Sequence, residues 1–143
     1  MGEIVHYLDA SFLVALLTPE LASPRAESFA AANALSLIAS DFAAAEYASS
    51  IARRVRMGEF TIAQGQFALA TFDGWLAQSA TWIEISAADI ALSTSFLRRL
   101  DLPLRTPDAI HIAAAMRLEA GLATLDRRMA ANARALGLEV ADI

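Results

Sequence analysis

Four carboxylates occupy the places where this chain could do chemistry. Asp9 closes a short apolar run, Ile4 to Leu8, and Asp126 closes another, Leu122 to Leu125. Asp108 follows Thr106 and Pro107, so it falls in the first turn of a helix, where the dipole favours an acid. Glu46 lies about two turns inside an alanine-rich helix, with no arginine three or four residues to either side. A glutamate in apolar surroundings without a local partner is costly unless something compensates it. If the four acids converge they repel one another, and each pushes the others' pKa values up. A bound divalent cation resolves that conflict. Mg²⁺ or Mn²⁺ suits an all-oxygen site, and such an ion activates water and stabilises charge on a phosphoryl oxygen. Phosphodiester hydrolysis is the reaction this set implies.

Each acid also has a plainer reading. Asp9 alone fits a cap for a helix beginning near Ser11, Asp126 a cap for a helix beginning at Arg127, and Asp108 a helix-start residue. The joint pattern is more specific than any member. Ser11 and Thr124 stand beside the two strand-end acids and could hydrogen-bond a carboxylate, a metal-bound water or a phosphate. Ser40 fits a helix cap better. His111, one turn after Asp108, reads as a hydrogen-bonded core histidine. With His6 the only other histidine and no cysteine in the chain, a zinc site is poorly supported. There is no glycine-rich phosphate loop and no G-x-S-x-G elbow. Arg53 and Arg54 on the Glu46 helix, and Arg105 and Arg127 near the acids, are candidate RNA contacts, because guanidinium forks match phosphate. The alternative for the first pair, with Arg56, is a solvated helix end.

The elements that must position these groups alternate. Strands are expected near residues 6, 37, 83, 124 and 139, with helices between them. Thr18-Pro19-Glu20 reads as a cap-then-proline start for a helix through about Ala34. Ser40 caps a helix ending in Arg53, Arg54 and Arg56 before Gly58. Thr61 to Ala80 is a further helix, and Ser86-Ala87-Ala88-Asp89 has the spacing of a capping box for a helix to about Leu100. Thr106 caps the Asp108 helix, which runs to Glu119 and is small or apolar on nearly every face, so it is expected to be buried. Leu138 to Ala141 reads as an edge strand. This is an α/β pattern with a parallel sheet, in which sites form beyond the carboxyl ends of the strands.

The chain has 143 residues and reads as one domain, 1–143, with no repeat or linker. It is 57% hydrophobic, too apolar for disorder. No run approaches the roughly 18 apolar residues of a membrane span. The N-terminus lacks a secretory pattern, so a cytoplasmic location is the default. Net charge is −5 and all 11 bases are arginine. That argues against gripping nucleic acid by bulk electrostatics but leaves room for an enzyme that meets phosphates through metal ions and a few arginines.

Four segments together resemble a PIN domain, specifically a VapC-type toxin of a type II toxin–antitoxin system. They are Tyr7-Leu8-Asp9-Ala10-Ser11-Phe12-Leu13, Ser40-Asp41-Phe42-Ala43-Ala44-Ala45-Glu46 with Arg53 following, Leu104-Arg105-Thr106-Pro107-Asp108-Ala109-Ile110-His111-Ile112-Ala113, and Leu122-Ala123-Thr124-Leu125-Asp126-Arg127-Arg128-Met129-Ala130. The resemblance covers nearly the full length. It implies a three-layer α-β-α sandwich whose parallel five-stranded sheet has the order 3-2-1-4-5. It places the family's acidic quartet on Asp9, Glu46, Asp108 and Asp126, and its hydroxyl on Thr124. The implied activity is that of a Mg²⁺- or Mn²⁺-dependent endoribonuclease toxin acting on tRNA or ribosomal RNA. The implied partners are a VapB-type antitoxin and a second copy of the chain, with promoter DNA bound through the antitoxin. Phe42, Phe60, Phe67, Phe72 and Trp75 offer apolar surface for the core, a dimer face or an antitoxin groove. The competing readings are a DNA or structure-selective nuclease using the same acids, and a non-catalytic binding module whose acids only cap helices.

Overall fold

The computed structural model describes residues 4–143. The first three residues, on which the reading of the N-terminus partly rests, lie outside that range. Strands are β1 His6–Leu8, β2 Leu37–Ser40, β3 Thr81–Ile83 and β4 Gly121–Ala123. Helices are α1 Ala10–Leu17, α2 Ser23–Ala32, α3 Asp41–Arg56, α4 Ile62–Ser79, α5 Ala87–Leu97, α6 Thr106–Arg117 and α7 Arg127–Ala135. The strands form one parallel sheet in the order β3-β2-β1-β4.

Alternation along the strands builds the two cores. Neighbouring side chains of a strand point to opposite faces. Leu8, Leu37 and Ala123 therefore enter a cluster with Phe12, Leu13, Tyr47 and Phe72 from the N-terminal helices. Tyr7, Ile38 and Leu122 enter the other, with Ile112, Met129 and Ala133 from α6 and α7. The sheet is thus sandwiched between helical layers. Helix α6 is buried continuously from Asp108 to Ala115, and its alanines let it lie close against the sheet. Helices α3 and α4 approach closely at Gly65, where an added Cβ would stand 2.7 Å from Val55 Cγ2.

Local signals set most helix starts. Ser40 Oγ accepts from Ala43 N at 3.0 Å. Thr61 with Gln64, and Ser86 with Asp89, form reciprocal capping boxes. Three expectations are corrected. Helix α2 starts at Ser23, with Pro24 in its first turn, rather than at Thr18. Thr18 instead ends α1, its hydroxyl donating to Val14 O, while Ser23 Oγ accepts from Glu20 N and donates to Thr18 O to shape the turn between them. Helix α6 is capped by the extended backbone of Arg105, and Thr106 is its first residue. The fifth strand is a single parallel bridge, Val140 to Leu122. Leu138 N is engaged with Ala133 O at the end of α7, after Gly137 at φ +87°, which leaves only Glu139 and Ala141 to bond Leu122. Among the described residues no helix is long and apolar enough to cross a membrane.

Candidate active site at the carboxyl edge of the sheet

Asp9 leaves the end of β1 and is 5% exposed. Its Oδ1 accepts from Phe12 N at 3.0 Å, capping α1, and from Ser11 Oγ at 2.7 Å. Its Oδ2 accepts from the Thr124 hydroxyl. Burial holds the Asp9 carboxyl above its ordinary value, against the opposing hydrogen bonds of Thr124, Phe12 N and Ser11. Ser11 also lies 3.2 Å from Thr124 Oγ1 and accepts from Leu125 N.

Thr124 couples the first acid to the last, because its Oγ1 also accepts from Asp126 N at 3.1 Å. Asp126 Oδ1 caps α7 by accepting from Arg128 N and Met129 N. Its other oxygen, Oδ2, faces Arg105 Nη2 at 3.9 Å. Arg105 Nε donates to Asp108 Oδ2 at 3.3 Å. One guanidinium thus stands between Asp108, which is 6% exposed, and Asp126.

Glu46 is partly exposed, not enclosed as its alanine neighbours imply. Its compensation comes from another helix, where Oε1 meets His111 Nε2. His111 is 3% exposed, and its Nδ1 lies 2.6 Å from Tyr7 OH. Tyr7 OH lies 2.7 Å from Ser40 Oγ, which already accepts from Ala43 N. A carboxylate can only accept, so Nε2 carries the proton toward Glu46. In the neutral ring Nδ1 then accepts from Tyr7, and Tyr7 accepts from Ser40. Burial raises the Tyr7 phenol, and the charges of Asp9, Glu46 and Asp41 raise it further against the Ser40 hydrogen bond. It stays a donor.

Shared partners therefore link three of the acids, Asp108 through Arg105 to Asp126 and Asp126 through Thr124 to Asp9, while His111 ties Glu46 to α6, the helix that carries Asp108. His111 is the hydrogen-bonded buried histidine that its sequence position suggests, yet it also serves the site, and so does Tyr7, which no spacing marks. The missing partner of Glu46 was the available signal, but its answer lies 65 residues away. The arginines divide. Arg54 is held by Glu20 and donates to Thr18 Oγ1, with its guanidinium over Phe60. Arg53 is exposed, and Arg127 lines a cleft beside Asp126.

The donor set is all oxygen at Asp9, Asp108 and Asp126, which fits Mg²⁺ or Mn²⁺ by hardness. A cation of the chain itself, Arg105, already balances two of these acids. In the observed side-chain arrangement, no three acidic or histidine side chains among the described residues sit close enough to cage an ion. A cation held by Asp9, Asp108 and Asp126 would compete with Arg105 for two of the three carboxylates. The donor chemistry suits a hard cation, although the described side chains do not form a preformed cage.

The model of the PIN domain family matches residues 6–135. No curated protein sequence matches the chain. Among solved structures, the Mycobacterium tuberculosis toxin VapC20, which cleaves the sarcin–ricin loop, is similar at a TM-score of 0.76 and 17% identity, covering 96% of this chain and 99% of that one. VapBC2 from Rickettsia felis, bound to a promoter DNA fragment, is similar at 0.72 and 14%, over 96% and 98%. FitAcB from Neisseria gonorrhoeae is similar at 0.69 and 16%, over 96% and 97%. The parallel sheet, the helical layers around it and the span of the family match agree, and this chain belongs to the PIN domain family.

Proposed function

We propose that the protein is a metal-dependent endoribonuclease toxin, held in check by a cognate antitoxin. The observation that carries this reading is the linkage of Asp9, Asp108 and Asp126 at the carboxyl edge of the sheet through Arg105 and Thr124. Asp9, Asp108 and Asp126 would hold Mg²⁺ or, in its place, Mn²⁺, with Glu46 ligating directly or through water. Such an ion, when bound, supplies a nucleophile at neutral pH and charge stabilisation on the phosphoryl oxygens. The chain's own groups do the rest. Ser11 and Thr124 fix the orientation of Asp9. His111 orients Glu46 and keeps one carboxylate oxygen free. The protonated Arg105 stands where a substrate phosphate would meet the acids, and its fork fits that phosphate once a cation has displaced it from the acids. Cleavage by water at phosphorus leaves a 5′-phosphate and a 3′-hydroxyl.

Family membership and the toxins among the similar structures support this reading. The toxin–antitoxin complexes among them, one of them bound to promoter DNA, support a VapB-type antitoxin as partner; family membership adds a second copy of this chain and promoter DNA bound through the antitoxin as expectations. The acidic net charge fits that division of labour. A second reading has its own observation. Asp9 and Asp126 both cap helices, as a non-catalytic binding module would require. Each cap engages one carboxylate oxygen and leaves the second directed at Thr124 or Arg105, which capping does not explain.

The test is induced expression of the wild type beside an Asp9→Asn/Asp108→Asn double variant, with total RNA sequenced for new 5′-phosphate ends. Growth arrest with discrete new ends in the wild type alone is expected. Equal arrest from both proteins without new ends would reject the nuclease in favour of the binding module. Matched RNA and DNA substrates with purified protein separate the ribonuclease from a DNA nuclease.

A further inference from the structure

An acidic chain that acts on a polyanion must concentrate its positive charge, and the pairing of its 11 arginines shows where. Arg54 pairs with Glu20, Arg99 with Asp101, Arg105 with Asp108 and Asp126, and Arg117 with Asp89. Arg128 is engaged by the Pro103 carbonyl. Of the arginines with no carboxylate partner among the described residues, Arg25, Arg127 and Arg134 line one cleft of about 410 Å³. They come from separate places: Arg25 from α2, and Arg127 and Arg134 from the two ends of α7. Arg25 Nη1 donates to the Ile143 carbonyl at 3.2 Å, which ties that arginine to the far wall.

The floor of the cleft is continuous with the acids. Thr124 and Asp126 line it and also belong to the linked carboxylate set. A strand whose phosphate sits at Asp9, Asp108 and Asp126 has its neighbouring phosphates within reach of this cleft. Asp126 and Asp142 line the same cleft and oppose a simple anion trap. They favour a ligand that places its charges against the arginine forks at discrete points. Phosphodiesters do this, because guanidinium groups bind them bidentately. The cleft has no aromatic side chain to anchor a peptide: Leu125, Ala130, Val140, Ala141 and Ile143 lie between the charges, and the surface it presents is more polar than apolar.

We propose that Arg25, Arg127 and Arg134 form a subsite for the RNA backbone next to the phosphate being cleaved. The inference rests on the nuclease reading and is tested apart from catalysis. The probe is fluorescein-labelled poly(U), titrated by anisotropy across a salt series. The parent protein carries Asp108→Asn, and the variant adds Arg25→Gln and Arg134→Gln. Both arginines are exposed, so an unchanged melting temperature is the check on folding. Expected are a loss of about tenfold in affinity and a flattening of the log K against log salt slope by about 1.4, near 0.7 per lost phosphate contact. In the active protein the same pair raises KM and leaves kcat within about twofold. The matching control, Arg98→Gln with Arg99→Gln, removes the same charge at exposed positions outside every assigned RNA contact and leaves affinity and slope unchanged.

Equal affinity and slope in parent and variant would overturn the subsite and leave the nuclease untouched. So would a variant that loses poly-glutamate binding while keeping poly(U), which would assign the cleft to an acidic peptide. A parent that binds poly(U) through these arginines beside a wild type that makes no new RNA ends would instead reject the nuclease and keep the cleft.

Discussion

Glu46 on α3 and His111 on α6 meet through one carboxylate–imidazole contact at Nε2, and Tyr7 on β1 fixes the other nitrogen, Nδ1, of the same ring. Three elements from distant parts of the chain therefore set the direction of one acid. Replacing His111 with Phe keeps the bulk but removes the partner of Glu46 and the acceptor of the Tyr7 hydroxyl proton, while Ser40 still reaches the Tyr7 oxygen, at about 1–3 kcal/mol for the buried donor. Mn²⁺ affinity, measured by calorimetry at a temperature where both proteins are folded, is expected to fall about tenfold, as when an outer partner of a ligand is removed. His111→Gln keeps a donor for Glu46 and is expected to recover part of that loss. Equal Mn²⁺ affinity in wild type and Phe variant would show that Glu46 needs no such orientation.

Asp9 carries the clearest pH consequence. Burial raises its folded-state carboxyl above the ordinary 3.8, so the native state holds its proton more tightly than the unfolded chain. For an acid shifted upward, the contribution is fully present below 3.8 and is lost as pH rises toward the folded value. Metal-free protein is thus expected to lose stability over that interval, and Asp9→Asn to abolish the loss. The asparagine can still accept from Phe12 N and Ser11 and can donate to Thr124. At neutral pH, metal-free Asp9→Asn should melt no lower than the wild type. Mn²⁺ at a hundredfold excess over its Kd should stabilise the wild type by about 2.7 kcal/mol and the variant far less. Thermal scans with and without Mn²⁺ across pH decide this; a variant that Mn²⁺ stabilises equally would remove Asp9 from the ligand set.

The fold was legible where its determinants are local. Ser40, Thr61 and Ser86 cap the helices their spacing indicates, because a cap needs only residues three apart. The strand ends at Asp9 and before Asp126 follow from short apolar runs. The start of α2 was misplaced because Thr18-Pro19 and Ser23-Pro24 carry the same local signal, and only the contacts of Thr18 with Val14 and of Ser23 with Thr18 choose between them. The partner of Glu46 and the arrival of Arg25 beside α7 are tertiary facts. No helical spacing along the chain contains either.

Arg105 offers a sharper test of the acid set. Its guanidinium supplies the positive charge between Asp108 and Asp126, so a bound cation must compete with it. The arginine side chain is more than half exposed, which limits each contact to about 1 kcal/mol or less. Arg105→Gln is therefore expected to tighten Mn²⁺ binding by about fivefold in the absence of RNA, the equivalent of about 1 kcal/mol. The same substitution should raise KM for RNA. Calorimetric titration of both proteins measures the first effect, and an unchanged or weaker Mn²⁺ affinity would show that Arg105 does not stand in the cation's place.

Away from the site, Asp89 and Arg117 join α5 to α6. The carboxylate is 1% exposed and receives Arg117 Nε at 2.7 Å and Nη2 at 2.9 Å, while its Oδ2 also accepts from Ser86 N. Burial alone would raise the Asp89 carboxyl. The Arg117 hydrogen bonds and charge, with the Ser86 contacts, outweigh it and hold the carboxyl below 3.8. For an acid shifted downward, the stability is present above 3.8 and lost as pH falls through the folded value. Asp89→Asn keeps an acceptor for Ser86 but removes the charge facing Arg117. It should cost about 2 kcal/mol near neutrality, below the range for a fully buried pair because Arg117 is partly exposed. Because α6 carries Asp108 and His111, the same loss should loosen the site before the whole fold gives way. Hydrogen exchange on α6, compared with exchange on β1, reads that order. Uniform protection across both elements in the variant would show that the ion pair supports the fold as a whole and not the placement of α6.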